Sequence, residues 1–141
     1  MLPVPKVDAG GRLCMRFLVH GGRYVDPEAE VLGTVSAGDR LTLVREPGNP
    51  EDSLAILACV DGSDRRVGYV PAPLAPFVHA LWEHGIEPGV TAETVTMPDA
   101  PLASNQMRLL ARLEATVGAH FDVMAALNPE RVVGNAGHGD C

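Results

Sequence analysis

The chain has 141 residues, the size of one compact domain, and 46% of them are apolar, enough for a single core. A formal net charge of −7, with Lys6 the single lysine beside ten arginines, disfavours a protein that coats phosphate backbones without specificity. No apolar run approaches the roughly 20 residues that span a bilayer, and the N-terminal MLPVPKVDAGG lacks a signal-peptide core, so a cytoplasmic protein is expected.

Residues 1–11, with Pro3, Pro5, Gly10 and Gly11, read as a flexible arm. Arg12 to Val19 alternates, with Leu13, Met15, Phe17 and Val19 on one face, and predicts a strand. His20-Gly21-Gly22 breaks it, and Arg23-Tyr24-Val25 reads as extended chain or loop. Asp26-Pro27-Glu28 carries a helix-start signal, Asp as N-cap and Pro at the first helical position, for a turn or two ending near Gly33.

Arg40 to Arg45 and Leu54 to Val60 predict strands, the second apolar on both faces and so central. Asp61-Gly62-Ser63-Asp64 has hairpin-turn chemistry, and Arg65 to Val70 is the return strand. Pro71 and Pro73 end the sheet. Leu74, Phe77, Val78, Leu81 and Trp82 then form the stripe of a helix lying on a core, with Gly85 as its C-cap. Val90 to Met97 is a strand and Pro98 to Gln106 a polar loop. Met107 to Val117 has helical composition but strand alternation (Met107, Leu109, Ala111, Leu113, Ala115 and Val117 on one side), and strand is the assignment made. A short helix near His120 to Leu127 and a disordered tail over 128–141 complete the chain. One domain over 12–127 is expected: mostly β, one or two packed helices, a small curved antiparallel barrel.

The segment 45–52, Arg-Glu-Pro-Gly-Asn-Pro-Glu-Asp, lies between two apolar runs. Its prolines stiffen it and its charges keep it exposed, which suits a recognition surface. No nucleophile setting, phosphate loop or metal spacing accompanies it. Cys14, Cys59 and Cys141 match no metal or redox motif, and Cys14 and Cys59 are expected as buried thiols within strands. His79 and Glu83 share a helix face with no third ligand in view and read as a solvated surface. No cofactor, no metal and no enzymatic activity are expected.

Two strings carry a resemblance. Gly38-Asp39-x-Leu-x-Leu-x-Arg45-Glu46-Pro47-x-Asn49-Pro50-x-Asp52-x-x-Ala55-Ile56 is followed by Val67-Gly68-Tyr69-Val70-Pro71 and a helix. Together, over residues 14–97, they resemble the HIRAN domain, including its freestanding bacterial members. The resemblance implies an OB-like or SH3-like barrel and ligand recognition without chemistry. In eukaryotic relatives it implies capture of the 3′ end of single-stranded DNA. Arg23-Tyr24 is similar to an arginine–aromatic pair that holds a phosphate and stacks on a base. Asp52 falls on an acidic residue facing a terminal hydroxyl, and Tyr69 on a ring lining the pocket. Glu51 stands where an aromatic is usual and Ala72 where a base is expected.

The candidate ligand-binding residues are Arg23, Tyr24, Arg45, Asn49, Glu51, Asp52 and Tyr69. Tyr24, beside Gly-Gly and Asp-Pro, is the aromatic expected to be exposed and in contact with a ligand, whereas most of the others have an ordinary reading beside the functional one. Asp52 caps turns by accepting backbone N–H bonds, Asn49 and Pro50 shape loops, Tyr69 packs its ring in the core, and Arg23 and Arg45 form surface ion pairs. Two functions remain. The first is an adaptor that binds a peptide or protein, for example a ribosomal-peptide precursor delivered to partner enzymes, by strand addition at an open sheet edge. The acidic Glu30, Asp39, Glu46, Glu51 and Asp52 favour it. The alternative is binding of single-stranded DNA 3′ ends in DNA repair or processing.

Overall fold

A computed structural model describes residues 7–26, 28, 30–96 and 109–118. Within them six strands form one antiparallel sheet: β1 (Arg12–Leu18), β2 (Arg40–Arg45), β3 (Ile56–Val60), β4 (Arg66–Tyr69), β5 (Gly89–Val95) and β6 (Leu109–Thr116). Their spatial order is β1-β6-β5-β2-β3-β4. The sheet curls into an OB-like half-barrel around one helix, α2 (Ala75–Glu83); a four-residue helical turn, α1 (Gly22–Val25), precedes it.

Alternation decides which side chains line the concave face. Leu13, Met15 and Phe17 of β1 and Leu109, Ala111, Leu113 and Ala115 of β6 are all buried, and the two strands pair in register from Arg12↔Thr116 to Leu18↔Leu110. The segment that composition alone would make a helix is therefore a strand. Its alternation matches the face it must bury, and burial overrides intrinsic propensity. In β3 residues on both faces are buried, as a central strand requires.

The apolar stripe of α2 closes the core. Phe77, Val78 and Leu81 have no exposed surface, nor has Leu74 just before the helix. The helix ends in a Schellman motif: Gly85, at φ +73°, donates to the Trp82 carbonyl (2.9 Å) and Ile86 to that of Leu81 (2.9 Å). Ile86, the residue after the glycine, packs on the core.

Three local expectations are corrected. Asp26 does not start a helix; α1 lies before it, over residues expected to be extended, and Asp26 is its C-cap. Gly21, at φ +68°, turns the chain into α1. The Asp26 carboxylate instead reaches forward and accepts from the amides of Val31 (3.1 Å) and Leu32 (2.9 Å), at the head of a 3₁₀ turn over Leu32–Thr34. Cys14 points to the outer face of β1 and is half-exposed, whereas Cys59 is buried. His79 is half-buried, its Nε2 3.0 Å from the Leu54 carbonyl. The loop at 98–106, the helix near 120–127 and the tail at 128–141 lie outside the described residues.

One contact shapes the site. His20 and Tyr69 exchange backbone hydrogen bonds of 2.8 and 2.7 Å, which links the chain leaving β1 to β4. Gly68 permits it. A Cβ there would sit 2.6 Å from the His20 carbonyl oxygen and from Val19 Cγ1, at a φ of +152°. No side chain fits in that space.

Candidate functional site

The 45–52 loop is exposed at Arg45, Pro47, Gly48, Pro50 and Glu51 and half-buried at Glu46, Asn49 and Asp52. The three half-buried side chains build it. Asn49 Oδ1 accepts from the amides of Glu51 (2.9 Å) and Asp52 (3.1 Å), the side-chain-to-backbone pattern that makes asparagine a turn former. Asp52 Oδ1 accepts from the Leu54 amide at 2.9 Å. Glu46 Oε1 accepts from Asn49 Nδ2 (2.7 Å) and from the Tyr69 hydroxyl (2.8 Å).

Glu46 is thus the hub that fastens the loop to β4. The Asn49 amide first and the Tyr69 hydroxyl second hold its carboxyl below the usual carboxylate range, with the field of Arg66 adding to them. Partial burial, then the bond to Glu46, raises the Tyr69 hydroxyl above its ordinary value. Sequence reasoning placed Glu46 among the loop's acids and missed this role. The tie spans 23 residues, so no local spacing reveals it.

Tyr69 and Tyr24 meet at a glycine. A Cβ on Gly21 would lie 3.4 Å from Tyr69 Cδ2 and 3.7 Å from Tyr24 Cδ2. The Tyr24 ring is 72% exposed. The exposed ring of Tyr24 and the tethered ring of Tyr69 thus both border Gly21, which has no side chain to separate them. Arg66 on β4 supplies positive potential that reaches both Tyr69 and Glu46. Arg23 stands in α1, between Gly22 and Tyr24 in the chain.

Of the candidate residues, Tyr24 and Tyr69 meet at Gly21, Asn49 and Asp52 shape the loop that Glu46 ties to Tyr69, and Glu51 is exposed on that loop. Arg45 is not among them. It pairs with Ile56 on the opposite, concave face, and its guanidinium lies 4.4 Å above the Trp82 ring on α2. His79 meets the same indole edge-on at 5.4 Å. Arg45 and Glu46 are neighbours in sequence and diverge because successive strand residues point to opposite faces.

The acidic lining is mostly structural. Glu46 and Asp52 accept bonds within the loop, and Asp39 Oδ2 accepts from the Ser36 amide at 2.8 Å. That removes the main reason for preferring a basic or neutral peptide at this loop. The outer β4 edge is also obstructed: the Gly21–Gly22 backbone approaches it, a Cβ on Gly22 falling 3.1 Å from the Val67 carbonyl oxygen. No helix among the described residues is long and apolar enough to cross a membrane.

Comparison with known folds and families follows the same outline. The HIRAN domain model matches residues 13–114. The crystal structure of the HIRAN domain of human HLTF is similar in fold, with a TM-score of 0.56 and 20% identity over 77% of this chain and 81% of that one. A Lactobacillus plantarum protein is similar at a TM-score of 0.51 and 25% identity, over 74% of this chain and 99% of that one. Among curated proteins none matches. The matched span runs from the first core residue of β1 through the Glu46–Tyr69 tie into β6, and the chain belongs to the HIRAN domain family.

Proposed function

We propose that this chain is a non-catalytic module that captures the 3′ end of single-stranded DNA in DNA repair or processing. The observation that carries the reading is the meeting of the Tyr24 and Tyr69 rings at Gly21. An exposed ring beside bare backbone offers a stacking face to any base, and base–aromatic stacking contributes about 1–3 kcal/mol per base. The second ring, Tyr69, has a hydroxyl that already donates to Glu46, so it presents its oxygen as an acceptor to a ligand hydroxyl or amine. Arg66, whose field reaches Tyr69 and Glu46, supplies positive charge that a terminal phosphodiester needs.

Family membership supports the same direction. HIRAN domains are binding modules, and the HLTF HIRAN domain has been solved in a DNA-bound conformation. An adaptor for peptides at this loop has no such support, because two of its three acids, Glu46 and Asp52, are engaged in bonds that build the loop. The net charge of −7 limits the role to an end or a short stretch rather than a long phosphate track.

The test is fluorescence anisotropy with short labelled oligonucleotides bearing a free 3′ hydroxyl, a 3′ phosphate, or a free 5′ end only. Binding that requires the 3′ hydroxyl and weakens as salt rises is the expected result. Equal binding of all three, or none, overturns the assignment.

A further inference from the structure

A second surface lies where β2 and β5 part. These strands pair at only two positions, Arg40↔Thr91 and Leu41↔Val90. Continuing that register sets Leu43 opposite Pro88 and Arg45 opposite Ile86. Proline has no N–H to give to a ladder, and the chain there belongs to the turn that ends α2. The sheet therefore opens along the second half of β2.

The direction of the β2 backbone groups follows from bonds at its ends. The Glu46 amide donates to Ala55, so even-numbered residues face β3; Asp39 accepts from the Ala92 amide, so odd-numbered residues face β5. The N–H and C=O of Leu43 and Arg45 thus point into the opening. No described residue bonds them there. A groove of about 570 Å³ runs along them, with Leu43, Val44 and Arg45 on one bank and Trp82, Ile86 and Glu87 on the other. Val44 is 43% exposed, and the Arg45 guanidinium lies over Trp82 at the rim.

We propose that this open half-edge of β2 binds an extended peptide segment of a partner protein by strand addition, with apolar side chains against Ile86 and Trp82 and an acidic side chain at Arg45. Four backbone groups in strand spacing suit an extended chain and nothing else so well. The groove is built by the β2–β5 parting and contains neither Tyr24 nor Tyr69, so the proposal stands apart from DNA-end binding.

The probe is a displayed library of random heptapeptides panned against the full chain, with the best binders resynthesised. The expected binders carry an acidic residue and shift the amide resonances of Leu43 and Arg45. N-methylating alternate peptide residues, which deletes every second edge hydrogen bond, weakens them about tenfold or more, while N-methylation of the intervening residues does not. Arg45→Ala weakens them while leaving oligonucleotide binding intact. The idea is overturned by an empty selection, by binders insensitive to N-methylation or mapping elsewhere, or by dimerisation that protects the Leu43 and Arg45 amides in the protein alone.

Discussion

Glu46 and Arg45 are adjacent, both charged, and end up in opposite circumstances. Glu46 is drawn inward, its carboxylate fixed by an amide and a phenol from two separate segments. Arg45 lies exposed on an indole at the rim of the concave face, beside backbone that no described residue pairs. One region is a finished hydrogen-bond network; the other is a surface left open. The contrast teaches that a charge count over a loop says little about what the loop can bind. What matters is which charges are already committed to folding.

The largest effect tests the finished side. Gly68→Ala forces a Cβ against the His20 carbonyl and Val19, so strain and overpacking together are expected to cost about 3 kcal/mol, read from urea denaturation. Oligonucleotide binding falls with it. If stability is unchanged, the His20–Tyr69 link is not what joins β1 to β4.

Tyr24→Ala comes next and separates recognition from folding. Loss of one stacking face is expected to weaken 3′-ended oligonucleotide binding by about 1–3 kcal/mol, while the melting midpoint barely moves because the ring is 72% exposed. A large drop in stability with unchanged binding reverses the roles assigned to the two tyrosines.

Glu46→Gln probes the hub and is expected to cost about 1–2 kcal/mol near neutral pH through a weakened charge-assisted bond. Because its carboxyl is held low by Asn49 and Tyr69, the stability it adds is present above the unfolded value of about 4.3 and is lost as pH falls through the lower folded value. The variant therefore flattens the acid limb of the stability profile. Tyr69 is raised, first by burial, so its share is present below about pH 10 and is lost as pH rises through the folded value. Tyr69→Phe flattens the alkaline limb. Two unchanged limbs would show that the network is not formed in solution.

Arg45→Ala is the smallest perturbation. A surface cation–π contact contributes about 0.5–1 kcal/mol, and DNA-end binding is expected to be unaffected. A loss of oligonucleotide binding comparable to that of Tyr24→Ala would merge the two surfaces into one.

The sheet was largely legible in the chain. Alternation marked β1 and β6, Asp61-Gly62 marked the β3–β4 hairpin, and the Leu74–Trp82 stripe marked the helix. These signals are short-range and tied to burial. The misreading at Asp26 came from a local cue, Asp-Pro, whose cap was used over a longer reach. The Glu46–Tyr69 tie, the Arg45–Trp82 stack and the β2–β5 parting all depend on how distant segments converge, and no window of residues contains them. The family strings singled out the 45–52 loop without saying which of its acids were structural.

The loop after β2 is fastened near its start by Glu46 to β4 and just beyond its end by His79 to the Leu54 carbonyl. A segment clamped at both ends has few conformations left to lose when a guest arrives. Its ordering entropy is met during folding, so association should proceed without a slow rearrangement and with little temperature-dependent tightening of the loop.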